Sequence, residues 1–132
     1  QQEDLKILDN YKNNIEKIRK KIDNQDINFY IDFIVTSMFK ANKYFNDQEP
    51  WKQKDDLIRL NTIVYTTLEI VRKVSFLLYP IIPTSSLKAL KIFGLYENDI
   101  NISSIVDNNF LSKVDKINKI DILFQKIEKK ND

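Results

Sequence analysis

The sequence contains no cysteine and no histidine among its 132 residues, and it contains only one glycine. The first two absences exclude disulfide bonds, thiolate and imidazole metal ligands, and the Ser-His and Cys-His nucleophiles of many hydrolases. Because Gly94 is the single glycine, no glycine-rich turn can bring backbone amides close to a phosphate, which excludes the dinucleotide fingerprint and the P-loop. We therefore expect no catalytic residue, no metal site and no cofactor in this chain.

The sequence also lacks a long apolar run and a strong excess of charge of either sign. Its most apolar stretch, residues 74–83, contains Ser75 and Pro80 and is far shorter than the roughly 18 residues that cross a bilayer. Hydrophobic residues make up 42% of the chain, charged residues make up 30%, and the net charge is +2, which is typical of one soluble globular domain. We therefore expect a cytoplasmic protein without membrane contact, in which any contact with nucleic acid is local. Because the first residue is glutamine rather than methionine, we also expect a piece of a longer protein.

Three long stretches place apolar residues at spacings of three and four residues, which is the pattern of an amphipathic helix. The predicted core-facing stripes are Leu8, Tyr11, Ile15, Ile18 and Ile22; then Ile27, Ile31, Ile34, Met38, Ala41 and Phe45; and then Leu57, Leu60, Val64, Leu68, Val71, Val74 and Leu78. Asn24 or Asp26 is predicted to be the N-cap of the second helix, and Asp55 or Asp56 is predicted to be the N-cap of the third helix.

A rigid corner and a short fourth helix follow the third stretch. Pro80 stops the third helix, and Thr84 or Ser85 is predicted to cap a short helix that ends at Gly94, since glycine readily adopts the left-handed conformation of a helix end. Polar residues then break the helical period, so that a loop with one helical turn is predicted as far as Asn109. No strand-like alternation is present and the connections are short. We therefore predict an all-α, up-and-down bundle of four to five helices.

Two groups of charged residues look like functional sites but have simpler explanations. Asp55 and Asp56 form an acidic pair, but no neighbouring residue is of a type that would shift a pKa toward catalysis, and a helix cap is the better interpretation. The first helix carries lysines at positions 12, 17, 20 and 21, but acidic residues are interleaved with them. This mixture indicates a solvated helix face rather than a surface for nucleic acid.

The only tryptophan, Trp51, directly follows Pro50 at the place where the second helix is predicted to end. Tryptophan covers a large apolar area, so a half-buried packing role is one explanation of this residue. The other explanation is a platform for an RNA base, because proline restricts the backbone that carries the ring, while Lys43, Lys52 and Lys54 supply positive charge for phosphates. The residues alone leave both explanations open.

Several motifs resemble those of the anticodon-binding domain of methionyl-tRNA synthetases, which are class I aminoacyl-tRNA synthetases. The motifs are Asn42-Lys43-Tyr44 leading to Pro50-Trp51, the corner Leu77-Leu78-Tyr79-Pro80-Ile81-Ile82-Pro83-Thr84, the helix end Phe93-Gly94-Leu95, and the late stretch Ile120-Asp121-Ile122-Leu123-Phe124-Gln125-Lys126-Ile127-Glu128. The likeness spans residues 27–95 and 117–128. Each motif is weak alone, and their combination is what makes the resemblance specific. Many relatives have a proline where this chain has Gln125.

The resemblance implies a role in reading RNA for the Pro-Trp motif. In that family the tryptophan stacks on the first anticodon base of tRNA(Met), which assigns this role to Trp51, with Pro50 as its positioning neighbour. Lys43, Lys52 and Lys54 are then candidate contacts to the RNA backbone, and the partner is the anticodon stem-loop of tRNA(Met). The family also reads the anticodon with an asparagine and an arginine on a helix that would precede the first residue of this chain.

The resemblance also implies a division of the chain. The full-length enzyme attaches methionine to tRNA(Met) using ATP, but the family's ATP-binding and methionine-binding signatures have no counterpart here. Residues 1–97 are then the anticodon-binding bundle. Residues 98–132 form a C-terminal segment that packs on the bundle or on the catalytic domain of the same parent chain, which is missing here.

Two alternatives stay open. One is the equivalent domain of a related synthetase, such as those for leucine, isoleucine or valine, against which the Pro-Trp motif argues. The other is a helical protein-interaction module with no RNA role, in which Trp51 is a core residue. Solvent exposure of the indole in the free protein distinguishes this last alternative from a base platform.

Overall fold

A computed structural model describes residues 1–114, 116–119 and 122–124 of the chain. In these residues the predicted all-α bundle is confirmed, and no strand is present. The described part contains five α-helices: α1 (Gln2–Asp23), α2 (Ile27–Gln48), α3 (Leu57–Leu78), α4 (Pro83–Leu90) and α5 (Ser103–Val106). It also contains short 3₁₀ turns at Pro50–Lys52, Lys91–Phe93, Glu97–Asp99 and Phe110–Lys113.

The helix ends follow local sequence signals in most places. The Asp26 carboxylate accepts a hydrogen bond from the Phe29 amide at 3.1 Å, and this bond caps the N-terminus of α2 as predicted. Gly94 takes a left-handed conformation with φ of 71° after the short turn that follows α4. The predicted caps of α4 are wrong, because that helix begins at Pro83, whose restricted φ suits the first turn of a helix.

α3 lies at the centre of the bundle and packs against α1, α2, α4 and α5. The buried apolar side chains form one continuous core. Its buried members from the three long helices include Leu8, Tyr11, Ile18, Tyr30, Ile34, Ile70 and Leu77. The stripe predicted for α1 is largely confirmed, although Ile22 at its end is exposed.

The stripe predicted for α2 is confirmed only in part. Ile34 is buried as predicted, but Ile27, Ile31 and Met38 are exposed, and the buried face also includes Tyr30 and Ser37. Apolar residues surround most of the first half of this helix, so periodicity by itself does not decide which side is buried. The buried side is the one whose polar atoms find partners, since the Tyr30 hydroxyl donates to the main-chain carbonyl of Leu77.

The stripe predicted for α3 is also rotated, because this helix buries charged residues. The side chains of Glu69 and Arg72 have no exposed surface, and Arg72 Nη2 lies 2.7 Å from Glu69 Oε2. Arg72 Nη1 donates to the carbonyl of Ser104 at 2.8 Å, and Lys73 Nζ donates to the carbonyl of Asp107 at 2.8 Å. Each buried charge therefore has a partner, which is the condition for burying it.

These contacts attach the segment after α4 to the bundle. Ile105 and Leu111 are part of the buried core, and the Leu111 amide donates to the Glu69 carboxylate at 2.8 Å.

The predicted division of the chain after residue 97 stays a prediction. Within the late family-like stretch, Leu123 is partly buried and Phe124 is exposed, while positions 120, 121 and 125–128 lie outside the described residues. None of the helices in the described ranges has the length and apolar character required to cross a membrane.

Candidate nucleic-acid interface

The connection between α2 and α3 is a tight corner built around Glu49 and Pro50. Proline disfavours right-handed helical geometry at the residue before it, and Glu49 leaves the helix with φ of 45° and ψ of 58°. Pro50 begins a 3₁₀ turn in which the Lys52 amide donates to the Glu49 carbonyl at 2.8 Å and the Gln53 amide donates to the Pro50 carbonyl at 3.1 Å. Trp51 lies in the middle of this turn, so hydrogen bonds on both sides hold the backbone that carries it.

The indole of Trp51 is 52% exposed. Its one aromatic neighbour in the described part of the chain is Phe45, in the last turns of α2, with the ring centroids 6.2 Å apart and the planes at 61°. Pro50 beside it is buried. The ring therefore contacts the bundle at an edge and is not enclosed in the core.

Arg59, in the first turn of α3, connects the ends of three helices close to this corner. Its guanidinium donates to the two carboxylate oxygens of Asp4, on α1, at 2.6 and 3.0 Å. It also donates to the side-chain carbonyl of Gln48, the last residue of α2. The Tyr44 hydroxyl donates to the same Asp4 carboxylate at 2.6 Å. The start of α1, the end of α2 and the start of α3 are thus joined through one buried guanidinium.

The charges of this network persist over the physiological pH range. Burial acts to raise the pKa of Asp4, but hydrogen bonds from Arg59, from the terminal ammonium of Gln1 and from Tyr44 outweigh it and hold that pKa well below its usual range. Burial raises the pKa of Tyr44 to about 12, and its hydrogen bond to Asp4 contributes in the same direction. The hydrogen bond to Asp4 also raises the pKa of Arg59. Near neutral pH the carboxylate and the guanidinium are therefore both charged, and Tyr44 keeps the proton that it donates.

Two of the three candidate lysines lie in exposed ion pairs with acids on neighbouring turns. Lys52 Nζ is 2.7 Å from Glu49 Oε1, and Lys43 Nζ is 2.7 Å from Asp47 Oδ2. The hydrogen bond to Asp47, followed by its charge, raises the pKa of Lys43. Lys54 is exposed just after the 3₁₀ turn. The corner therefore presents two positive groups: the Lys52 ammonium, which is paired with the Glu49 carboxylate, and the exposed Lys54.

Lys43 belongs to a different surface from the other two lysines. It lines an open groove between α1 and α2, to which Trp51, Lys52 and Lys54 do not contribute. Other charged and amide side chains along this groove are Gln2, Glu3, Lys6, Asn10, Asn13, Asn14, Lys40 and Asp47. The structure therefore brings Pro50, Trp51, Lys52 and Lys54 together at the corner and separates Lys43 from them.

Asp4, Gln48 and Arg59 shape the corner, but they were not predicted from the sequence. Asp4 and Arg59 are 55 residues apart, and no local spacing could have paired them. A compositional signal was present, because the chain has only three arginines beside eighteen lysines. Two of the three, Arg59 and Arg72, are buried against carboxylates, where the planar guanidinium makes several directed hydrogen bonds and the lysine ammonium does not.

Residues 1–132 match the family model described as the anticodon binding domain of methionyl tRNA ligase. A methionine–tRNA ligase of Brucella suis is 37% identical over 93 residues, which are 70% of this chain and 18% of that protein. One from Mycobacterium leprae is 35% identical over 89 residues, with 64% and 17% covered, and one from Mycobacterium tuberculosis is 30% identical over 96 residues, with 69% and 18% covered. The chain spans less than a fifth of the length of these relatives. By the match over its whole length, this chain belongs to the family of anticodon-binding domains of methionyl-tRNA ligases.

Proposed function

We propose that this chain recognises the anticodon stem-loop of tRNA(Met) and that Trp51 stacks on an anticodon base. The observation that carries the proposal is the half-exposed indole at a corner whose backbone is held by hydrogen bonds. An unstacked base of a single-stranded RNA loop binds favourably to an exposed aromatic face. A tryptophan that serves as a core residue would instead be enclosed by its neighbours.

The lysines at the corner supply the second part of the proposed interface. Lys52 and Lys54 lie within three residues of Trp51, close enough in the chain to contact the phosphates that flank a stacked base. The Lys52–Glu49 pair is exposed and contributes little to stability, so a phosphate can replace the carboxylate at small cost. Lys43 contacts RNA in this proposal only if the RNA extends along the groove between α1 and α2.

The parent protein, in this proposal, is a methionine–tRNA ligase of the cytoplasm that attaches methionine to tRNA(Met) with ATP. The part that matches this chain makes up 18% and 17% of the length of two relatives with that name. ATP and methionine would bind to a catalytic domain of the same parent chain, which this bundle contacts. The bundle would contribute selection of the tRNA and no chemical step.

A helical protein-interaction module is the second candidate, and one observation favours it. The exposed side of α2 carries a row of apolar side chains at Ile27, Ile31, Val35, Met38 and Phe39. Exposed apolar rows of this kind are typical of surfaces that contact another protein domain. This candidate predicts that Phe39 matters for the function and that Trp51 does not.

Replacing Trp51 with alanine tests the two candidates directly. We expect Trp51→Ala to weaken binding of the tRNA(Met) anticodon stem-loop by about 1 to 3 kcal/mol, which is roughly five- to 150-fold. Trp51→Phe should restore part of the loss because an aromatic face remains. The measurement is fluorescence anisotropy of a labelled stem-loop, with the folded fraction of each protein determined by circular dichroism.

The matched control is Phe39→Ala, which removes another exposed aromatic ring, 68% exposed, from the adjacent helix. It should leave binding of the stem-loop unchanged. Normal binding by the folded fraction of Trp51→Ala, with a lower melting temperature, would mean that Trp51 is a packing residue and that the proposed site is wrong.

Replacing the lysines at the corner should have a different signature. Lys52→Ala or Lys54→Ala should weaken binding to any RNA loop about equally, because phosphate contacts carry no base information. Each should also reduce the salt dependence of binding, since one fewer counterion is released. Titrations at several salt concentrations, with the tRNA(Met) loop and a loop of scrambled anticodon, measure both effects. A loss confined to the tRNA(Met) loop would contradict a phosphate role.

A further inference from the structure

We propose that Arg59 is a positioning residue for Trp51: through Gln48 and Asp4 it holds the corner in the arrangement that presents the indole for stacking. This inference rests on the proposed function of Trp51. It assigns to anticodon recognition a residue that is itself buried, with 8% of its surface exposed, and that cannot contact RNA phosphates directly.

The bond between Arg59 and Gln48 closes the corner that carries Trp51. Gln48 ends α2 and Arg59 lies in the first turn of α3, so their side-chain hydrogen bond joins the two ends of residues 49–58. Gln53 Nε2 donates to the main-chain carbonyl of Gln48 at 3.2 Å, which adds a second connection across the corner. The orientation of the turn relative to α3 therefore depends on Gln48 and on the Arg59 guanidinium, which donates to the Gln48 side-chain carbonyl.

The ion pair with Asp4 fixes where that guanidinium lies. Both partners are buried, and Arg59 contacts both carboxylate oxygens, so the planar guanidinium has one orientation that satisfies them. Removing one partner of a buried pair leaves an uncompensated charge, which makes alternative arrangements costly. The corner is therefore anchored to α1 as well as to α2 and α3.

Anchoring matters for Trp51 because the ring is not held by a surrounding core. Its aromatic contact in the described structure is the inclined ring of Phe45, with the centroids 6.2 Å apart. The position of the indole therefore depends on the backbone of the corner. A ring that is ordered before RNA binds avoids the entropy cost of becoming ordered on binding, so the network raises affinity without touching RNA.

The first experiment measures the motion of Trp51 in the free protein. Trp51 is the only tryptophan, so time-resolved anisotropy of intrinsic fluorescence reports on this ring alone. Gln48→Met removes the acceptor at the corner and keeps the Arg59–Asp4 pair, which should preserve the fold. We expect a larger amplitude of fast local motion in Gln48→Met than in the unaltered chain, and a larger one again in Arg59→Met. Arg59→Lys keeps the charge beside Asp4 without the guanidinium geometry. Its amplitude of fast local motion should lie between those of the unaltered chain and Arg59→Met.

The second experiment measures stem-loop affinity per folded molecule. We expect Gln48→Met to weaken binding by about two- to tenfold, the range that follows from having to order one corner side chain on binding. In a Trp51→Ala background the same substitution should have no further effect, because it acts through the ring. A direct effect of residue 48 or 59 on RNA would persist in that background.

The control is Arg72→Met, which removes another buried, carboxylate-paired arginine from the same helix, further along it. It should lower the melting temperature while leaving both the anisotropy decay of Trp51 and the stem-loop affinity of folded molecules unchanged.

Three results would overturn the inference. One is an unaltered anisotropy decay of Trp51 in Gln48→Met and Arg59→Lys. Another is loosening of Trp51 in Arg72→Met as large as in the Arg59 variants, since general destabilisation would then be the cause. The third is an effect of Gln48→Met on affinity that is undiminished in the Trp51→Ala background. Normal binding by Trp51→Ala alone would instead reject the proposed function, and the anisotropy comparison would still decide whether Arg59 positions the ring.

Discussion

Lys73 is a single residue whose burial gives the protein a pH dependence that its composition does not suggest. Its side chain has no exposed surface, and its ammonium donates to the carbonyls of Ile105 and Asp107. Burial, and then the charge of Arg72, lowers the pKa of Lys73 to about 8. No carboxylate hydrogen-bonds to this ammonium among the described contacts.

The sign of the effect on stability follows from proton binding. In the unfolded chain Lys73 has the ordinary pKa of 10.5, so between pH 8 and 10.5 the unfolded state binds more protons than the folded state. The stability of the unaltered protein relative to Lys73→Met should therefore rise over this range, by up to roughly 3 kcal/mol for a pKa difference of about 2.5. Below pH 8 the difference should be constant.

Urea unfolding of the two proteins between pH 7 and 10 measures this effect. Tyr11, Tyr30, Tyr44 and Tyr65 have pKa values raised to about 12 by burial, and they reduce stability above their unfolded pKa of 10, but they are common to both proteins. Parallel stability curves for the two proteins up to pH 10 would show that folded Lys73 keeps its proton as an ordinary lysine does.

Residues close in the sequence determine where each helix begins and ends, but they do not determine which face of the helix is buried. The helix ends follow caps and turn residues that act within a few positions, as at Asp26 and Asp56. The buried faces of α2 and α3 follow the apolar spacing only in part, because those helices contact several partners at once and bury tyrosine, arginine and glutamate with satisfied hydrogen bonds. Apolar periodicity located the three long helices, but it predicted the buried face well only for α1.

The turn between α1 and α2 contains a residue whose backbone conformation we expect to lower the stability of the protein. Gln25 has φ of 60°, a left-handed conformation that costs a side-chain-bearing residue about 1 kcal/mol and costs glycine little. Gln25→Gly should therefore raise the free energy of unfolding by up to about 1 kcal/mol, less the extra entropy of glycine in the unfolded chain. Thermal unfolding should show an increase of about 2 to 4 °C. Gln25→Ala, which keeps the Cβ, is the control and should show no such gain; an equal gain from alanine would mean that the conformation is not the cause.

Considered as a whole, the bundle is organised around α3, and its C-terminal part is attached through buried polar contacts rather than through a long helix. Glu69 on α3 accepts from the Leu111 amide, and Arg72 donates to the carbonyl of Ser104. Among the described residues after 114, which are 116–119 and 122–124, Asn118 makes the connection to the bundle: its main-chain amide donates to the Ile92 carbonyl at 2.8 Å and its side-chain amide donates to the Lys91 carbonyl at 3.1 Å.

Hydrogen exchange should reveal this order of attachment. The amides from Val64 to Leu78 in α3 should exchange most slowly, and the amide of Leu111 should be protected with them. Amides after Ile117 should exchange much faster, because the two hydrogen bonds of the exposed Asn118 can open without unfolding of the bundle. Exchange monitored residue by residue by NMR provides the measurement. Equal protection of α3 and of the amides after Ile117 would show that the C-terminal segment unfolds only with the core.

The sequence alone was sufficient for the fold class, the helix positions, the exclusion of glycine-rich phosphate loops, and the Pro50–Trp51 corner, because each of these depends on composition or on residues a few positions apart. It was not sufficient for the buried faces of α2 and α3 or for the exposure of Trp51, which depend on how helices pack together. The pairing of Asp4 with Arg59 likewise exists only once α1 lies beside the start of α3. Local interactions act within a turn or two of a helix. The partners of buried charges lie far apart in the sequence and come together only when the helices pack.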